Sequence, residues 1–194
     1  MKASLLFLLI LVCHQPGQAQ FSVGIAVGGI GYHPREDKNV EYYRWKIDRS
    51  GKLAGYAGVT FFATYRLNSY LGIKVLQSIV PRDCAGKFAG ITHLGVNVYD
   101  DVIGWNSARH EFSLSFGPFW YYRKNWRQLE GYANDPDFIK MNAGQNWERK
   151  FVWHGGQIEY LYRWKDHASL AVNILPGYPY FYTAGMGGSL HVGR

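Results

Sequence analysis

Between residues 21 and 28 apolar and small side chains take turns: Phe21, Val23, Ile25 and Val27 alternate with Ser22, Gly24, Ala26 and Gly28. Successive side chains of an extended chain point to opposite faces, so this spacing predicts a strand with one greasy and one small-residue side. The period recurs. Residues 55–67 set Val59, Phe61 and Tyr65 against Thr60, Phe62, Thr64 and Arg66; 70–80 set Ile73, Val75 and Ile79 against Gly72, Lys74 and Ser78. The same reading gives strands at 88–100, 108–122, 150–164, 169–175 and 180–192, so that Leu94, Leu114, Ile158, Val172 and Met186 share the apolar face. Each is close to the ~9–11 residues of a tilted membrane-crossing strand.

The connections separate these strands into an ordered set. Asn68-Ser69 and "KDHA" are tight turns, whereas 32–54 and the polar stretch Arg123 to Arg149 are long loops. Segment 40–53 belongs to the first long loop, as a possible strand extending beyond the rest. Eight strands, with longer and shorter connections alternating and both termini at the compact end, match an outer-membrane barrel.

Alternation does not say which face is wet; the composition of the non-apolar face does. It is mainly Gly, Ser, Ala, Thr and Asn with isolated charges, which suits the narrow bore of an eight-stranded barrel. Tyr65, Trp120, Tyr162 and Trp164 fall near strand ends, where aromatic girdles sit. The expected fold is therefore all-β: an eight-stranded antiparallel up-and-down transmembrane β-barrel, with Phe21, Val23, Ile25 and Val27 against lipid. A soluble lipocalin-like barrel with an apolar interior is the alternative. In the bore, Arg66, Lys74, Glu111, Glu159 and Arg163 must pair with one another, because a lone interior charge is costly.

The first residues change where this protein is expected to reside. "MKASLLFLLILVCHQPGQAQ" has a basic start, a short apolar core and small residues before Gln20, so 1–19 reads as an export signal and 20–194 as the barrel. The expected address is the outer membrane of a Gram-negative bacterium. With Cys13 removed, Cys84 is the sole cysteine and no internal disulfide is expected. A net charge of +7 is a modest basic surplus and does not point to nucleic acid. No Cys/His spacing resembles a metal site, and "GIAVGGIG" is a glycine-bearing strand without a helix to follow it, so neither metal nor cofactor is expected.

Candidate chemistry lies at the long-loop end. His33 follows the first strand, and Asp83-Cys84 lie in the second outer loop, one strand pair away on this topology. A histidine moves a proton near neutral pH, a carboxylate orients it, and a thiol serves as nucleophile or donor. This layout, with "AGKFAG" and "ILPGYPYFY", resembles the outer-membrane lipid A palmitoyltransferase family, which has a histidine after the first strand and an Asp-Ser pair in the second outer loop. His33 matches the histidine, Asp83 the aspartate, and Cys84 stands where that family has serine. The resemblance implies transfer of an acyl chain from an outer-leaflet phospholipid to lipid A, with His33 as base, Asp83 as orienting group and Cys84 as nucleophile or polar stabiliser.

Two further sets complete the substrate reading. Pro176 and Pro179 each remove a ladder donor and are expected to open a lateral gap for a lipid tail. Arg123, Lys124 and Arg127, in a basic cluster about the third loop, are expected to bind lipopolysaccharide phosphates. The partners expected are thus outer-membrane phospholipid and lipopolysaccharide, with the chain as a monomer. A non-catalytic barrel whose loops bind lipid, sugar or protein is the other membrane reading.

Overall fold

The computed structural model describes residues 20–34, 40–105, 107–124, 139–140, 147–177 and 181–192. The expected export signal, Arg127 and Pro179 lie outside them. Eight long strands follow in order: β1 (Gln20–Tyr32), β2 (Leu53–Arg66), β3 (Leu71–Arg82), β4 (Ala89–Tyr99), β5 (His110–Lys124), β7 (Trp147–Lys165), β8 (Ala168–Gly177) and β9 (Phe181–Val192). A two-residue strand, β6 (Ile139–Lys140), pairs with Glu148 and Arg149 of β7. Each long strand pairs antiparallel with its sequence neighbour, β5 pairs with β7, and β1 pairs with β9, so the sheet closes. The expected eight-stranded antiparallel barrel is what forms.

The faces also fall as the alternation requires. Val27 is 62% exposed, and Ile25, Phe61, Val75, Leu94, Phe116, Ile158 and Met186 stand on the same outer surface. Thr60, Lys74, Asn97, Ser115, Glu159 and Asn173 are buried inside. A lipocalin-like barrel needs the reverse arrangement, so that alternative fails. An apolar belt of this extent far exceeds the patches water tolerates. Its height, from Phe21, Tyr65 and Trp164 near one end to Tyr32, Trp120 and Trp153 near the other, is about that of a ~25 Å lipid-facing band. The barrel is built to span a membrane.

Small lumen residues serve the packing. A Cβ on Gly24 would collide with the Phe62 ring, and one on Gly155 with the Phe119 ring. These glycines make room for Phe62, Leu76, Phe119, Tyr121, Leu161 and Leu175, which form an apolar plug in the bore together with Ala26 and Ala171.

Strict alternation misses the bulges. In β1 the register shifts between Gly28 and Ile30, where one residue of β9 spans two of β1. Gly29 is the extra residue, so outward positions change from Val27 to Ile30 and Tyr32, and His33 turns inward. A second shift lies between Gly117 and Phe119 of β5, opposite Gly155 and Val152 of β7, so β7 carries one residue more than its partner. There the inward set changes from Glu148 and Val152 to Gly155, Gln157 and Glu159.

Connections depart from the sequence expectation in three places. β7 begins at Trp147, inside the stretch expected as loop, and a 3-10 helix, Asp100–Ile103, fills the link from β4 to β5. The first long loop holds a 3-10 turn at Val40–Tyr42 and an added β-bridge between Lys46 and Ala54.

Candidate functional site

His33 is set by the Gly29 bulge and by its own N–H, which donates to Lys52 O at 2.7 Å. Its Nε2 lies 3.0 Å from the Tyr43 hydroxyl, with the two rings 5.5 Å apart. Tyr43 belongs to a buried cluster with Ala54, Cys84 and Ala85, against which Val40 packs. The first and second outer loops are joined here, since Arg44 N–H donates to Cys84 O at 2.7 Å. His33 thus bonds a tyrosine that is packed in one cluster with Cys84, so the first-strand end and the second outer loop meet here.

Asp83 has a different immediate role. Its Oδ1 accepts from Ala85 N–H at 3.0 Å and from Lys87 N–H at 2.8 Å, while Gly86, at φ 77, closes the turn by donating to Asp83 O. These bonds make the carboxylate the brace of the β3–β4 turn. Cys84 is 6% exposed, so its thiol is shielded by Tyr43 and its neighbours.

The bore carries charge at three levels. At the compact end Arg66 bonds Glu111 and Asp101, each at 2.7 Å, and Arg163 joins Glu111 at 2.6 Å. Farther in, Lys74 and Glu159 pair at 2.7 Å with side chains 0% and 3% exposed. The two heavy atoms sit off the ideal hydrogen-bond line, so this contact is chiefly coulombic. All five lumen charges read from the sequence are paired, as expected. Asp101 was missed because it belongs to a loop, and Glu148 because β7 starts at Trp147, inside the stretch read as the third loop.

That third ion pair relocates Arg123. Its Nε donates to Glu148 at 2.6 Å on the inner side, so Arg123 acts with the barrel mouth, while Lys124 is exposed on the outside. Arg149, directly opposite Tyr122, faces outward too, above Trp120 and Phe151. Pro176 stays inside the ladder opposite Tyr182, and its carbonyl accepts from the Tyr121 hydroxyl at 2.9 Å. Pro118 interrupts the β4–β5 ladder, which keeps its register but makes no pair between His93/Phe119 and Val96/Phe116. Its freed carbonyl meets His93 Nδ1 at 2.9 Å, and His93 Nε2 meets Ser115 Oγ at 2.8 Å.

At the compact end a cavity of about 20 Å³ lies among Ser22, Thr64, Asn97, Tyr99, Glu159 and His191. That is room for one water. Above it stand the Phe62–Leu175 plug and then the Arg123–Glu148 pair.

No protein-family model and no curated protein sequence matches the chain. Solved structures similar to it include Ail, the attachment invasion locus protein of Yersinia pestis, at 10% identity and TM-score 0.49, covering 92% of this chain and 100% of that one. The N-terminal β-barrel domain of Pseudomonas aeruginosa OprF is similar at 13% identity and TM-score 0.49, covering 90% and 100%. Neisserial surface protein A is similar at 10% identity and TM-score 0.44, covering 90% and 97%. The barrel itself follows from the strand pairings.

Proposed function

We propose that this chain is a sealed, monomeric barrel of a Gram-negative outer membrane that holds its outer loops at the cell surface as a binding platform. The observation behind this reading is the filled bore: ion pairs at Arg66–Glu111, Lys74–Glu159 and Arg123–Glu148 enclose the apolar plug around Phe62 and Phe119. A bore packed in this way has no course for a solute and no slot for an acyl chain at those levels. Lipopolysaccharide is the first ligand of the outer surface, with Lys124 and Arg149 placed to meet its phosphates by charge-assisted hydrogen bonds. Reconstituted protein should add no steady conductance to a planar bilayer; a stable single-channel step would refute the sealed bore.

Acyl transfer from phospholipid to lipid A is the second reading, favoured by one observation: His33 and Cys84 both border Tyr43. In it His33 takes the Cys84 thiol proton, and the sulfur attacks the phospholipid ester carbonyl and forms a thioester as the lysophospholipid alcohol leaves with that proton. A lipid A hydroxyl then takes the acyl chain and returns a proton to the thiol, with Asp83 holding the turn that carries Cys84. Mass spectrometry of lipid A from cells with and without the gene separates the two. An unchanged acyl count supports the platform, and an added acyl chain that is lost in both His33→Ala and Cys84→Ala supports the enzyme.

A further inference from the structure

Outside the barrel proper, the first loop folds back into the wall. Ile47 N–H donates to Leu53 O at 2.9 Å and Gly55 N–H to Trp45 O at 2.7 Å, with Lys46 bridged to Ala54. Residues 44–47 therefore run as an added strand beside β2, on the side where β3 has ended at Arg82. The turn between them is a built one. Asp48 Oδ1 accepts from Leu53 N–H at 2.8 Å, Asp48 also accepts from the Ser50 hydroxyl, and Gly51 takes φ 69.

The sequence of this strand, Arg44-Trp45-Lys46-Ile47, alternates cations with apolar residues. Lys46 stands opposite buried Ala54, so it shares the inner side; Trp45 stands by Gly55, whose partner in β1 is exposed Ile30. Trp45, 40% exposed, and Ile47, 55% exposed, thus join Ile30, Tyr32 and Leu53 in one outward patch. That patch continues the lipid-facing surface of β1 and β2 without a break, and no polar residue divides it from Val27 and Phe61 along those two strands' outer rows. Arg82 lies at its edge, opposite exposed Ala57, and so points outward as well.

We propose that residues 44–47 form an interfacial anchor, with Trp45 and Ile47 seated at the headgroup–acyl boundary of the outer leaflet and Arg82 holding the phosphate of an anionic lipid there. An aromatic residue at that depth keeps its ring in the apolar region and its N–H wet, and a neighbouring cation favours negatively charged headgroups. The inference rests on the membrane-barrel reading, and adds a lipid site on the opposite wall from Lys124 and Arg149.

The test uses folded protein in phosphatidylcholine vesicles carrying shallow brominated lipid, with quenching compared between wild type and Trp45→Phe. Trp120→Phe serves as the marker for the barrel exterior. Loss of a quenched component in both variants supports the anchor. Loss only for Trp120→Phe overturns the anchor and spares the barrel; loss for neither overturns the membrane reading itself. At equal bromine content, brominated phosphatidylglycerol should quench Trp45 more than brominated phosphatidylcholine, through an anionic-lipid preference of about fivefold. Arg82→Gln should abolish that preference and Arg82→Lys retain it, with heat-shifted gel migration reporting that each is folded. An equal preference in Arg82→Gln would overturn the phosphate assignment.

Discussion

Removing one member of the Lys74–Glu159 pair should cost far more than removing both. At 2.7 Å and an effective dielectric of about 20, the attraction is about 6 kcal/mol, most of it returned as the penalty for taking two ions out of water. With Lys74→Met, Glu159 stays 3% exposed with its cation gone; with Glu159→Gln, Lys74 stays wholly enclosed, with the Phe62 ring face 4.9 Å away as a weak offset to its charge. Each single variant should lose ~3–5 kcal/mol of folding free energy. Lys74→Met/Glu159→Leu should come within ~1 kcal/mol of wild type, since well-packed apolar replacements of buried pairs are often neutral. Reversible urea unfolding in lipid vesicles, followed by tryptophan fluorescence, measures all four proteins. Single variants that cost under ~1 kcal/mol and add up to the double would refute a closed, dry bore, because that outcome needs water beside both groups.

Other outcomes follow from single positions. Val27→Arg, on the outer face midway along β1, should destabilise the vesicle-bound barrel by ~2–4 kcal/mol in the same unfolding assay. Deleting Gly29 removes the residue that β9 leaves unpaired and keeps Ile30, Tyr32 and His33 on their present faces, so amide exchange at Arg44 and Gly55 should stay as in wild type; raised exchange there would show that the loop cluster depends on the bulge itself. Asp48 is held below its ordinary carboxylate pKa by the Ser50 hydroxyl and then by Leu53 N–H, so its contribution is complete above the unfolded value and fades as pH falls through the lower folded one. Protection of Leu53 N–H, corrected for intrinsic exchange, should therefore drop only in that acid range, and Asp48→Asn should remove the step.

Period and side-chain size made the barrel legible. Val59, Leu94 and Ile174 alternate with small residues over whole strands, and glycine where a ring must fit is visible as composition. What alternation hides is a one-residue slip, since it leaves each flanking half with a perfect period. For that reason the inward turn of His33 had no signal in the chain apart from the adjacent Gly28 and Gly29. Tyr43, the centre of the loop cluster, was also unreadable: its place depends on Arg44 pairing with Cys84 across 40 residues of sequence, a contact without periodicity. Arg123 was misplaced for a related reason. Charge in a presumed loop was read as surface, whereas β5 continues through it and the strand chooses the side.

The pairing of β1 with β9 has a consequence for biogenesis. Phe21 meets Val192, so the first strand made waits for the last before either finds its neighbour on that flank. Until then the growing sheet carries two raw margins of unpaired amides, which hydrocarbon rejects and other chains can capture. Insertion must therefore proceed with the seam sealed late and in company, and a chain cut before β9 would enter aggregates instead of the bilayer.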